Sequence, residues 1–214
     1  MTNEQVFERV TVIAVMLLVA FPIHEFAHAF AAYRLGDSTA RLFGRLTLNP
    51  IAHFDPIGGS MLAISVLLGS GFGWAKPTPV NPRNLEGGRW GEAIVAAAGP
   101  LSNLVLAVAG AIPLRFMFAT GLDVPFFGNV LILFVEINLL LMIFNLIPIP
   151  PLDGSGVLFA FLPPQTAWQL RPILSQYGIF LLILLIFPVF GGSSLLTQIF
   201  GAILDPLFRL LVGL

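Results

Sequence analysis

Long apolar stretches that carry almost no charge dominate this chain of 214 residues. A helix needs roughly 20 apolar residues to cross the roughly 30 Å hydrocarbon core of a bilayer, and suitable stretches lie at 6–33, 93–114, 126–147 and 172–204. The last of these is divided in two by Pro188 and by the Gly-Gly-Ser-Ser run at 191–194. The pattern predicts an all-α polytopic membrane protein with about five to six transmembrane segments.

The composition supports a membrane location and excludes several other classes. The chain is 57% hydrophobic and 10% charged, which departs strongly from the balance of a soluble domain. It has ten basic and eleven acidic residues and no basic run, so we expect the lipid bilayer and no nucleic acid as a partner. Without cysteine, any metal must rest on nitrogen and oxygen ligands. The acidic residues near the N-terminus do not fit a signal peptide, and we expect that end to be retained.

The segment between the first span and residue 93 combines apolar and extended patterns. Residues 56–75 are long enough to span, but five glycines interrupt them, and Asp55 is expected to cap this segment. Partial alternation at 41–48 and alternating prolines at 76–82 are typical of extended backbone. We expect a small strand-like or re-entrant insertion here, although ordinary connecting loops fit the two flanking segments equally well.

Two histidines at helical spacing inside the first span form the strongest functional motif. His24-Glu25-Phe26-Ala27-His28 matches the H-E-x-x-H pattern, in which positions i and i+4 share one helix face and direct both imidazoles to one zinc ion. Glu25 is then adjacent to the water that the metal activates. Buried histidines that pair with neighbouring helices are the alternative. Two of only three histidines at ligand spacing within a membrane span favour the metal site.

A catalytic zinc ion takes three protein ligands and keeps one position open, so a third ligand must lie elsewhere in the chain. The acidic candidates are Glu136, within a span, and Asp153, after it. Asp153 is the better candidate, because three prolines end the preceding helix and release backbone that is tolerated at membrane depth only in buried or wet sites. For Glu136 an interhelical hydrogen bond or a water-facing position is favoured.

Together these motifs resemble the site-2 proteases, peptidase family M50, in the short form without a PDZ or CBS domain. The resemblance covers HEFAH and three further segments at 49–56, 99–103 and 145–154. It implies a zinc ion bound by His24, His28 and Asp153. It also implies that Glu25 is the general base for peptide-bond hydrolysis within or beside the membrane, and that the substrate is clamped as an added strand along the extended segments.

The positions of Lys and Arg separate two topologies, because these residues favour the cytoplasmic side. If residues 56–75 span the bilayer, the ten basic residues divide six to four. If residues 56–75 enter the bilayer and return to the same side, eight of the ten basic residues lie on one side, with Arg9 and Arg115 on the other. The second topology also brings the histidines and Asp153 to one side. We therefore expect five spans and a re-entrant segment in a bacterial or archaeal cell membrane, with the active site toward the cytoplasm.

Four amide or imidazole side chains are secondary candidates. Asn145 precedes Asp153 near the helix break, where its amide would hold the substrate backbone or the oxyanion; a helix-tying role fits equally well. His53 is a candidate for substrate contact, although a structural role is favoured. Asn103 and Asn138 are assigned to hydrogen bonds between helices.

The predicted catalytic core covers residues 1–162, and 163–214 form a C-terminal pair of spans without chemistry of their own. Single-pass or membrane-anchored proteins are the expected substrates. One alternative function is an intramembrane prenyl-protein protease, which is expected to use a glutamate as its third ligand. Another is a non-enzymatic zinc-binding protein or transporter, which the glutamate of the H-E-x-x-H motif argues against. The sequence specifies neither the substrate nor the oligomeric state.

Overall fold

The computed structural model describes residues 2–68, 73–122, 124–188 and 192–213, which are mostly helical. The α-helices, in chain order, are α1 (Asn3–Val15), α2 (Phe21–Arg34), α3 (Thr39–Leu42), α4 (Pro50–His53), α5 (Pro56–Leu67), α6 (Arg89–Thr120), α7 (Pro125–Asn145), α8 (Gly154–Phe161), α9 (Pro164–Ile186) and α10 (Leu195–Val212). A π-helical stretch, Met16–Ala20, joins α1 to α2. It ends two residues before Pro22, whose ring does not fit a regular helix interior.

Within the part of the chain that the structure describes, five helical segments are long and apolar enough to cross a membrane. They are Glu4–Arg34, Arg89–Thr120, Pro125–Asn145, Pro164–Ile186 and Leu195–Val212. This result confirms the predicted all-α polytopic architecture. The chain is therefore an integral membrane protein.

The insertion between α2 and α6 has the form expected of a re-entrant segment. The 12 residues of α5 rise only about 18 Å, against a hydrocarbon core of about 30 Å. Asp55 caps α5 as predicted, because its carboxylate accepts hydrogen bonds from the N–H groups of Ile57 and Gly58. The chain then returns to its entry point, where the N–H of Lys76 donates to the His53 carbonyl oxygen at 2.9 Å.

The strand-like part of this prediction is wrong for the described residues, none of which forms a strand. Residues 41–48 contain the end of α3 and a turn. Residues 76–81 have no regular secondary structure and pair with no strand among the described residues. Their prolines favour extended backbone in the preceding residues, and Pro77 and Pro79 remove two of the N–H groups that a ladder requires.

Buried polar side chains hold the extended segment 76–81 against the end of α2. Asp37 is fully buried and accepts hydrogen bonds from the Asn81 N–H at 2.7 Å and the Asn84 Nδ2 at 3.0 Å. Burial alone would raise the pKa of Asp37, but its hydrogen bonds hold that pKa below its ordinary value. Arg45, also buried, donates to the Lys76 carbonyl oxygen. The segment is thereby fixed from both ends.

α7 is the central helix and buries two faces. Val135, Leu139 and Met142 pack in one cluster with α6 and α10, whereas Ile137 and Leu141 pack in another with α1 and α5. Burial on two faces is expected of a helix in the middle of a bundle. α6, which packs against both α7 and α2, therefore lies beside the H-E-x-x-H helix.

The direction of α10 differs from the one assumed in the charge count. Its C-terminal Gly213 lies against Arg115, near the C-terminal end of α6, so Arg209 and Arg115 are at the same end of the bundle. Helix length and composition cannot predict this direction. The basic residues then divide seven to three, which still favours the re-entrant topology.

Candidate metal centre

The H-E-x-x-H motif lies on α2, within the first candidate span. A spacing of four residues puts His24 and His28 one turn apart on the same helix face, and both side chains are buried. Their Nε2 atoms lie 3.1 Å from each other. The motif therefore forms the histidine pair that its spacing predicts.

The third candidate ligand comes from the turn after α7. The Oδ2 atom of Asp153 lies 3.2 Å from His24 Nε2 and 3.3 Å from His28 Nε2. The next residue, Gly154, allows this turn to fold back tightly, since a β-carbon there would lie 2.2 Å from the Leu146 carbonyl oxygen. The proline-rich break thus brings the chain back to the two histidines.

α6 holds both imidazole rings through their Nδ1 atoms. His28 Nδ1 lies 2.7 Å from the Val95 carbonyl oxygen, and His24 Nδ1 lies 2.6 Å from Asn103 Oδ1. Gly99 lies between these two positions, and a β-carbon there would be 2.3 Å from His28 Nε2. Positions 95, 99 and 103 share one helix face, so this face of α6 fits closely against both rings.

These contacts leave three acceptor atoms facing one another. Each Nδ1 faces an oxygen atom and carries the ring hydrogen, so each Nε2 presents a lone pair. Asp153 Oδ2 is buried and has no hydrogen-bond partner. Two imidazole nitrogens and one carboxylate oxygen match a catalytic zinc site with one open position.

Glu25 lines the same cavity as the three converging side chains. Its Oε2 atom accepts a hydrogen bond from the Thr78 N–H at 2.8 Å, and the Thr78 hydroxyl donates to the Glu25 carbonyl oxygen at 3.0 Å. These bonds attach the extended segment to α2 and fix one carboxylate oxygen. Thr78 is absent from the sequence-based candidates, because nothing in its proline-rich surroundings indicates a partner 53 residues earlier.

The cavity has a volume of about 510 Å³. Asn145 lines it, and its Nδ2 donates to the Leu141 carbonyl oxygen at 3.0 Å. His53 does not line it; this side chain is 1% exposed, and its Nε2 lies 2.7 Å from the Thr47 carbonyl oxygen. Of the two candidates for substrate contact, the structure brings only Asn145 to the site.

Glu136 lies apart from the converging side chains. Its carboxylate interacts electrostatically with Asp205 of α10. Among the residues that the structure describes, the side chains grouped closely enough to hold one metal ion are His24, His28 and Asp153. The geometry therefore favours Asp153 over Glu136 as the third ligand.

Comparison with known proteins gives a consistent result. Residues 12–127 match the sequence model of peptidase family M50. A curated Bacillus subtilis protein, named as a predicted zinc metalloprotease, YwhC, is 39% identical over 208 residues, which cover 92% of this chain and 90% of that protein.

Two mycobacterial relatives, both named as predicted zinc metalloproteases, Rip2, are more distant. The Mycolicibacterium smegmatis protein is 34% identical over 79% of this chain and 64% of its own length. The Mycobacterium tuberculosis H37Rv protein is 35% identical over 82% of this chain and 66% of its own length. No solved structure matches significantly.

Proposed function

The chain belongs to peptidase family M50 and is an intramembrane zinc metalloprotease, and from that premise we propose that His24, His28 and Asp153 hold the zinc ion while Glu25 is the general base. The convergence of two Nε2 atoms and one carboxylate oxygen within 3.3 Å carries this proposal. Asp153 in place of a glutamate argues against the prenyl-protein protease alternative.

The residues that line the cavity have separate roles in the proposed reaction. A zinc ion held by His24, His28 and Asp153 would supply a Lewis acid that polarises the scissile carbonyl and activates water near neutral pH. Glu25 accepts a proton from the attacking water through Oε1, while the Thr78 N–H holds Oε2 in place. Glu25 then passes this proton to the leaving amine nitrogen as the carbon–nitrogen bond breaks. We propose that the amide of Asn145, which lines the cavity, binds the substrate backbone or the developing oxyanion.

The proposed substrates are single-pass or membrane-anchored proteins. Trp74, Ala75 and Pro77 at the end of the insertion line part of the cavity, and we propose that the cavity admits a peptide that has left the bilayer interior as an extended chain. The segment 76–81 forms one wall of the cavity and is proposed as the clamp for that chain.

X-ray absorption at the zinc edge of the purified protein tests the ligand set directly. We expect two imidazoles at about 2.0–2.1 Å and oxygen donors at about 2.0–2.2 Å. The variant His53→Gln is the matched control and should leave the spectrum unchanged. A signal from three imidazoles that is reduced in His53→Gln would identify His53 rather than Asp153 as the third ligand and overturn the proposal.

The proposed orientation places the cavity toward the cytoplasm. Because the chain has no cysteine, the single substitutions Lys76→Cys and Leu122→Cys report the two ends of the bundle, and both positions are exposed. In intact cells an impermeant maleimide should label Leu122→Cys and spare Lys76→Cys until the membrane is opened. Labelling of Lys76→Cys from outside would contradict the orientation.

A further inference from the structure

A chain of buried side-chain amides connects His24 to α7. Asn103 Oδ1 lies 2.6 Å from His24 Nδ1, and Asn103 Nδ2 donates to Asn138 Oδ1 at 3.0 Å. Asn138 Nδ2 in turn donates to the Phe134 carbonyl oxygen at 2.8 Å. Asn103 and Asn138 are both 0% exposed. Helix packing alone explains the bond between the two amides, but it does not require the bond to His24.

The donor and the acceptor of each hydrogen bond in this network of amides follow from its last acceptor, the Phe134 carbonyl oxygen. The Phe134 carbonyl oxygen can only accept, so Asn138 must turn Nδ2 toward it and Oδ1 toward Asn103. Asn103 must then turn Nδ2 toward Asn138, which leaves its Oδ1 facing His24. His24 Nδ1 is therefore the donor, and His24 Nε2 keeps its lone pair.

We propose that Asn103 is a positioning residue that holds His24 in the Nδ1–H tautomer, and that Asn138 fixes the orientation of the Asn103 amide. This inference rests on the proposed zinc site. His28 needs no such residue, because the backbone carbonyl of Val95 supplies the acceptor. A hydrogen-bond partner of this kind fixes both the tautomer and the ring orientation of a metal-binding histidine, and its loss typically costs about 10- to 100-fold in metal affinity.

The test compares zinc affinity among variants of the full chain by competition with a chelator. We expect about 10- to 100-fold weaker binding in Asn103→Leu, and a smaller loss in Asn138→Leu, where the acceptor for His24 remains but is free to rotate. The double variant should bind zinc no more weakly than Asn103→Leu. Asn103→Asp, which keeps an acceptor for His24, should recover most of the affinity even if it unfolds at a lower temperature.

Ser102→Ala is the matched control. It removes a hydrogen bond within α6, from the Ser102 hydroxyl to the Gly99 carbonyl oxygen at 2.7 Å, and does not touch a metal ligand. It should keep wild-type zinc affinity. Wild-type affinity in Asn103→Leu, or equal losses in Asn103→Leu and Asn103→Asp, would overturn the inference.

Nitrogen-15 NMR of the zinc-loaded wild type gives a second measurement that does not depend on any variant folding. We expect His24 to bind zinc through Nε2 with its ring hydrogen on Nδ1, and coordination through Nδ1 would overturn the inference. The two proposals fail separately. If His24→Ala keeps wild-type zinc affinity, the proposed site is wrong, whereas zinc bound through His24 with no effect at Asn103 contradicts only the positioning role.

Discussion

Glu25→Gln should lower kcat about 10²- to 10⁴-fold, the usual contribution of a general base, without lowering zinc content. Glutamine has the size of glutamate and keeps an oxygen that accepts the Thr78 N–H, so the extended segment should remain attached to α2. It cannot take the proton from water. The measurement is cleavage of a membrane-anchored substrate in proteoliposomes, with zinc per chain determined on the same preparation.

Glu92→Gln is the matched control for this experiment. Glu92 lines the same cavity, but its carboxylate pairs with Arg171 at 2.8 Å rather than with the metal-binding residues. An exposed pair of this kind contributes little to stability, so this variant should keep most of the activity. Full cleavage by Glu25→Gln would exclude Glu25 as the base, and loss of zinc would make it a ligand instead.

The parts of the site that follow from local pattern were predictable from the sequence. The spacing of His24 and His28 determines that they share a helix face, whatever surrounds that helix. The prolines before Asp153 indicate a helix break at membrane depth, which is tolerated only in protein or around a wet cavity. The re-entrant segment was predicted from the distribution of basic residues, and that distribution still favours it although α10 runs in the direction opposite to the one assumed.

The residues that hold the site in place were not predictable, because their partners are distant in sequence. Asn103 lies 79 residues from His24, and Thr78 lies 53 residues from Glu25. Asparagine in a membrane helix indicates a hydrogen bond between helices but does not identify the partner. The prolines at 76–82 favour extended backbone in the residues before them, but within the described residues the segment pairs with no strand, because Pro77 and Pro79 lack the N–H groups of a regular ladder.

Asp153→Ala should abolish stoichiometric zinc binding and all cleavage. Removal of the carboxylate leaves two imidazoles as the protein ligands, so the loss of affinity should exceed the roughly 10- to 100-fold cost of disturbing a ligand's hydrogen-bond partner. The Asp153 side chain makes no capping bond to α8, so the substitution should not unfold that helix. Asp153→Asn, which keeps the shape of the side chain, should show the same loss of zinc with an unchanged circular dichroism spectrum.

Glu136→Ala separates the two acidic candidates for the third ligand. Glu136 lies on α7 near Asp205, apart from the histidines, and its removal should leave one zinc ion per chain. Because two carboxylates close together in an apolar bundle repel each other when both are charged, this variant should be at least as stable as the wild type. If Glu136→Ala loses zinc and both Asp153 variants keep it, Glu136 is the third ligand. The chain would then have the glutamate ligand expected of a prenyl-protein protease.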